Sequence, residues 1–164
     1  MPSGEVDHRL AETIRRLNAR FSTPRFEPHV TLLGGLAGPR EEIIAKTSAL
    51  SALLRGYEIR LTTLDYLDEY FRCLFIRVEE TETVMDANRK AGEIFGRRQD
   101  PPYMPHLSLL YGNLPLATKQ GIVAGLGREP QPAFLVTSIH LFSTEGAPES
   151  WYRLREFPFP TGPG

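Results

Sequence analysis

The chain has 164 residues, 41% hydrophobic and 24% charged, with a formal net charge of -1. That fits one soluble domain able to bury a core and lacks the broad positive field that binding a long nucleic acid requires. Cys73 is the single cysteine, so an intramolecular disulfide and a cysteine-based zinc cage are excluded, and a reducing compartment is the default. No apolar run approaches the roughly 18 residues that cross a bilayer, and MPSGEVDHRL lacks the apolar middle of a secretory signal. A cytoplasmic monomer with no membrane partner is expected.

In chain order, Leu10, Ile14, Leu17 and Phe21 recur at helical steps and predict a one-sided helix over roughly residues 6 to 20. Pro28 opens a short strand, His29 to Leu33, closed by Gly34 and Gly35. Pro39, with Glu41 and Glu42 behind it, starts a second helix that runs to about Arg55 and stops at Gly56. YEIRLTTLDY (57 to 66) and RCLFIRVE (72 to 79) alternate as an antiparallel pair of strands. Thr81 caps a third helix running to Phe95. RRQDPPYM (97 to 104) is a proline-dictated loop, PHLSLLYG (105 to 112) a strand and LATKQGIVAGLG a weak helix. AFLVTSIHLFST (133 to 144) and SWYRLREF (150 to 157) read as a closing pair of strands, before a Pro/Gly-rich tail, 160 to 164, that is expected to be disordered.

Two of these segments are nearly the same phrase. PHVTLLGG (28 to 35) and PHLSLLYG (105 to 112) share Pro, His, Leu, Leu and Gly at matching positions. The halves around them repeat as helix, strand, helix, strand, strand, with nothing between them that resembles a linker. The expected fold is therefore α+β and bilobal, a single domain over residues 1 to 159. Its two pseudo-twofold-related α/β units bring antiparallel sheets to a central cleft.

Side chains alternate faces along a strand. His29 and Thr31 therefore point one way, as do His106 and Ser108, while Val30, Leu32, Leu107 and Leu109 point to a core. Packing accounts for the leucines and glycines; it does not account for an imidazole and a hydroxyl repeated on the opposite face. Hydrolysis of a phosphodiester needs a base for the attacking water and an acid for the departing oxygen. Imidazole, titrating near pH 6.5, serves either role, and hydroxyls can hold the non-bridging oxygens. The scheme needs no cofactor and no metal, and the chain has no HExxH, no DxD, no P-loop and no GxSxG elbow.

HVT (29 to 31) and HLS (106 to 108) resemble the twin His-x-Thr/Ser motifs of the two-histidine phosphoesterase superfamily. FEPHVTLLGG, FRCLFIRVEETETVMDA and PPYMPHLSLLYG, in that order, resemble its plant and fungal cyclic phosphodiesterase branch across most of the chain. The resemblance implies opening of 2′,3′-cyclic nucleotides to 2′-phosphates and of ADP-ribose 1″,2″-cyclic phosphate to ADP-ribose 1″-phosphate, so the expected partner is a small cyclic nucleotide. It makes His29 and His106 the acid–base pair, with His106 taken as base and His29 as acid, and gives Thr31 and Ser108 the phosphate. Tyr111 matches a tyrosine that flanks the nucleoside, and Phe71 falls where the family places a second aromatic contact. The resemblance also implies a hydrophobic strand ahead of the first helix, whereas MPSGEVDH starts effectively at that helix. Processing of RNA ends or 2′–5′ linkages, and nucleotide binding without turnover, stand as alternatives.

Other residues read as follows. His140, sharing a face with Phe134, Val136, Ser138 and Phe142, is structural or half-exposed, His8 is solvated, and Cys73 is a core thiol. Arg72, Arg97 and Arg98 are candidates to hold phosphate against a plainer solvated role. Tyr103 reads as a lid residue, and one of Trp151 and Tyr152 should pack inward.

Overall fold

The computed structural model describes residues 1–97, 102–126 and 132–161. Leu10, Ile14 and Leu17 form the buried face of helix α1 (Gly4–Phe21), which packs on the strand carrying the second phrase. Ser22 ends that helix in the left-handed conformation, φ 53°. Buried Asn18 then fixes the exit, its Nδ2 donating to the Pro24 carbonyl at 2.6 Å and its Oδ1 accepting from Thr23 Oγ1 at 3.0 Å. The chain thus leaves α1 on a set course toward His29.

Helix α2 (Arg40–Leu53) starts behind Pro39 with Glu41 and Glu42 in its first turn. Helix α3 (Glu82–Ile94) is capped by Thr81, whose Oγ1 accepts from the Val84 N–H at 3.3 Å. Helix α4 (Leu116–Leu126) completes the set. Its Lys119, almost wholly buried, donates to the Leu67 carbonyl at 2.8 Å and to Asp68 at 3.2 Å, which anchors the connection leading to Phe71.

Strands β1 (Tyr57–Asp65) and β2 (Leu74–Val78) form the expected antiparallel pair, joined through a 3-10 turn at Tyr70–Arg72. Strand β3 (His106–Leu110) adds to β2, with Arg77 opposite His106 and Phe75 opposite Ser108. Strand β4 (Ala133–Val136) adds to β1, giving a four-stranded sheet of order β3-β2-β1-β4. Strands β5 (Ser138–Ser143) and β6 (Tyr152–Pro158) form a separate two-stranded sheet. α2 packs on that second sheet and against α3. The mixed α/β architecture with antiparallel sheets flanking a cleft is the one expected, with three corrections.

The stretch AFLVTSIHLFST is not one strand. Phe134 and Val136 face inward in β4, whereas Leu141 is the buried residue of β5. The alternation slips by one residue at Thr137, and the slip lets the chain cross from one sheet to the other. The halves also exchange partners: the second phrase joins the first hairpin, β1–β2, instead of staying with its own. The first phrase, expected as a strand over His29 to Leu33, is not a strand of either sheet; its one ladder contact is the antiparallel bridge from Val30 to Leu107. Phe159 is buried and stacks on Tyr57 at 6.2 Å. Of the expected tail, residues 162–164 lie outside the described residues, as does Arg98.

Candidate active site

The Val30–Leu107 bridge is the local pseudo-twofold axis of the site. Continuing its antiparallel register sets His29 across from Ser108 and Thr31 across from His106, and residues opposed in such a pair share a face. All four line one open cleft of about 1430 Å³. The two rings are held alike. Nδ1 of His29 donates to the Glu27 carbonyl at 2.7 Å, and Nδ1 of His106 donates to the Met104 carbonyl at 2.8 Å. A carbonyl only accepts, so the proton of each neutral ring sits on Nδ1 and Nε2 carries a free lone pair. In each motif the carbonyl belongs to the residue two positions upstream, so the repeat extends to hydrogen bonding.

A segment outside the sheets needs other partners for its carbonyls. Three side chains supply them: Tyr103 Oη donates to the Thr31 carbonyl at 3.0 Å, buried Asn88 Nδ2 to the Leu32 carbonyl at 2.6 Å, and Arg97 to the Gly35 carbonyl. Tyr103, read from sequence as a lid, is a brace for the first motif. Arg97, read as a candidate phosphate ligand, is tied to the glycine turn. Asn88 was not singled out in the sequence at all; an asparagine on the otherwise apolar face of α3 is the signal that was there to use. Asn88→Leu is expected to strand the Leu32 carbonyl and cost about 1–3 kcal/mol of stability, measured by urea unfolding, while an exposed change such as Glu41→Gln leaves the midpoint in place.

Burial is the largest influence on both cleft imidazoles and holds each below its ordinary value. At His29 the Glu27 carbonyl opposes that shift, and the positive charges of the N-terminus and of His106 reinforce it. At His106 the Met104 carbonyl opposes it, and the guanidinium groups of Arg72 and Arg77 reinforce it. Arg72 is engaged by Glu69 at 2.9 Å and Arg77 by Asp65 at 2.7 Å. Each histidine is therefore neutral in the empty cleft at pH 7.

The two hydroxyls differ. Thr31 is exposed in the cleft, whereas Ser108 is buried and donates to the Phe71 carbonyl at 3.0 Å. Thr31→Ala is expected to lower turnover without moving the unfolding midpoint. Ser108→Ala should lower both, because it also removes the hydrogen bond to the Phe71 carbonyl, at about 0.5–1.5 kcal/mol; activity assays and thermal unfolding on the pair of variants check this.

Tyr111 lines the cleft but is only 3% exposed, and one of its faces is covered by Phe26, stacked at 3.9 Å and 18°. Phe26 thus takes one of the tyrosine's two stacking faces. Burial raises its phenol to about 12. Phe71 is 52% exposed at the cleft wall, and Trp151 stands across from it. His140 is satisfied within its sheet: Arg153 donates to its Nδ1 at 3.2 Å, so its proton is on Nε2, 3.1 Å from Ser138 Oγ. Cys73 is fully buried.

The sequence model of the 2′-5′ RNA ligase superfamily matches residues 2–148. The chain belongs to this superfamily, the two-histidine phosphoesterases. It is 30% identical over 114 residues to a cyclic phosphodiesterase of Arabidopsis thaliana, a match spanning 70% of this chain and 63% of the plant protein. It is 28% identical over 102 residues to a 2′,3′-cyclic-nucleotide 3′-phosphodiesterase of Yarrowia lipolytica, spanning 58% of this chain and 44% of the yeast protein. The chain thus spans less than two thirds of the length of these curated relatives. Among solved structures, a phosphoesterase superposes with a TM-score of 0.65 at 16% identity, covering 93% of this chain and 92% of that one. E. coli LigT complexed with 3′-AMP superposes at 0.61 and 16% identity, covering 94% and 93%. At that identity the likeness is one of fold. Among the described residues no helix is long and apolar enough to cross a membrane.

Proposed function

We propose that this two-histidine phosphoesterase hydrolyses 2′,3′-cyclic nucleotides to nucleoside 2′-phosphates, and ADP-ribose 1″,2″-cyclic phosphate to ADP-ribose 1″-phosphate. The observation that carries the reading is the pair of imidazoles with Nδ1 fixed on backbone carbonyls and Nε2 free, lining one cleft with two hydroxyls between them. The names of the Arabidopsis and Yarrowia relatives support the cyclic phosphodiester as substrate. A cleft of about 1430 Å³ leaves room beyond a mononucleotide, as an ADP-ribose derivative requires.

In the proposed reaction, one neutral ring takes a proton from water through Nε2 while the water oxygen forms its bond to phosphorus. The other ring, protonated, gives its Nε2 proton to the 3′ oxygen as the phosphorus–O3′ bond breaks. The 2′-phosphate remains, and the two rings end with exchanged protonation, which solvent restores. His106 is taken as the base and His29 as the acid; burial and neighbouring positive charge favour the neutral form at both rings. Thr31 and Ser108 donate to the non-bridging oxygens, Ser108 turning from the Phe71 carbonyl to do so.

Incubation with 2′,3′-cyclic AMP followed by phosphorus NMR tests the proposal. The expected product is the 2′-phosphate, formed equally with and without EDTA. Loss of turnover in EDTA, release of the 3′-phosphate, or an unchanged substrate would contradict it.

A further inference from the structure

The turn that joins β1 to β2 is held by its own carbonyls. Lys119 Nζ donates to the Leu67 carbonyl at 2.8 Å. The Arg72 N–H donates to the Glu69 carbonyl at 3.1 Å, the Gly112 N–H to that of Tyr70 at 2.9 Å and the Leu67 N–H to that of Arg72 at 2.9 Å. Ser108 Oγ takes the Phe71 carbonyl at 3.0 Å. All but the last persist when Ser108 turns to a substrate. The backbone of Arg72 is thereby fixed beside the phosphate site, one residue from the carbonyl that Ser108 touches.

Of the arginines that the sequence offers for phosphate, Arg97 is tied to the glycine turn and Arg98 lies outside the described residues. Arg72 lines the cleft together with His106, Ser108 and Glu69. Its Nε, at 2.9 Å, and its Nη2 both donate to one carboxylate oxygen of Glu69. The remaining N–H groups, those of Nη1 first, have no partner among the described residues. Arg77, the other guanidinium whose charge acts on His106, does not line the cleft and has both Nε and Nη2 on Asp65.

From this arrangement we infer that Arg72 is a further catalytic residue: its Nη1 edge donates to a non-bridging oxygen of the cyclic phosphate and holds the negative charge that builds there as water adds to phosphorus. The role rests on the phosphodiester reading above. No proton leaves the guanidinium, which stays charged throughout, so the proton transfers remain those of the two imidazoles. Thr31 and Ser108 are neutral donors; a hydrogen bond from a guanidinium to phosphate is about twice as strong, and its planar fork matches the oxygens. Glu69 orients the fork, so the donors are in place before the substrate arrives. The pair is open to solvent, with the Arg72 side chain 27% and that of Glu69 50% exposed, and a phosphate in the cleft meets Nη1 with the ion pair intact.

Arg72→Ala is expected to lower kcat for 2′,3′-cyclic AMP by about 10²-fold at every pH, with a smaller change in KM. Arg72→Lys, which keeps the charge and loses the fork, should recover part of the loss. Guanidinium chloride at a non-denaturing concentration should restore part of the alanine variant's rate, which a role in folding alone does not allow. By isothermal titration, that variant should bind adenosine 2′-monophosphate about tenfold more weakly than the wild type. A partly exposed ion pair adds little to stability, so the unfolding midpoints of both variants should stay near that of the wild type. The charge of Arg72 also acts on His106; a residue that did only this would move the pH profile and keep its height. Full recovery of kcat at a shifted pH, or unchanged turnover and nucleotide binding in Arg72→Ala, would overturn the role and leave the phosphodiesterase intact. Nucleotide binding that depends on Arg72, in a protein that cleaves no cyclic phosphate, would instead support Arg72 as the phosphate ligand and overturn the reaction.

Discussion

Replacing His29 or His106 with alanine is expected to slow hydrolysis of 2′,3′-cyclic AMP by about 10²- to 10⁴-fold in each case. The two rings occupy equivalent places around the Val30–Leu107 bridge, and each offers a free Nε2 to the same cleft. Removing one deletes either the acceptor for the water proton or the donor for the leaving oxygen, and no other imidazole can take over. His140 has both nitrogens engaged, by Arg153 and Ser138. Both rings are half-buried and lie outside the central core cluster, so the variants should keep their circular dichroism spectra. Full activity in either variant would remove that ring from the chemistry.

The second large effect is that of pH. The base must be neutral and the acid protonated, so kcat/KM follows a bell set by the two titrations of the free protein. From the sequence alone, a ring value near 6.5 puts the maximum at about pH 6 to 7. Burial lowers both rings, and a lowered pKa means the charged form is lost earlier as pH rises. The maximum of kcat/KM should therefore lie on the acidic side of 6.5, with a fall approaching tenfold per pH unit above it. A bound phosphate reverses part of this, since its negative charge favours an imidazolium beside it. The alkaline limb of kcat should therefore sit at higher pH than that of kcat/KM. Rate profiles between pH 4.5 and 8.5 measure both, and coincident alkaline limbs, or a kcat/KM maximum above pH 7, would contradict the assignment.

The paired motifs made the fold and the shared cleft of His29, Thr31, His106 and Ser108 legible, because a strand's period of two turns His-x-Thr and His-x-Ser into statements about one face. What escaped was whatever depends on long-range pairing. The PHVT segment reads as a strand, yet its carbonyls go to Tyr103, Asn88 and Arg97, partners distant in sequence that no local pattern names. The break at Thr137 was visible as a slip from Phe134 and Val136 to Ile139 and Leu141, but a run of alternating residues is easily read as continuous. Tyr111 lines the cleft; its covered face depends on Phe26, which sequence proximity to His29 does not orient.

The central claim is that the two imidazoles act as one acid–base unit, and a double-mutant cycle on cyclic AMP hydrolysis tests it most directly. Groups that work in a single step do not lose rate independently. The His29→Ala/His106→Ala protein is expected to be about as slow as the slower single variant; losses that multiply would show two histidines working apart.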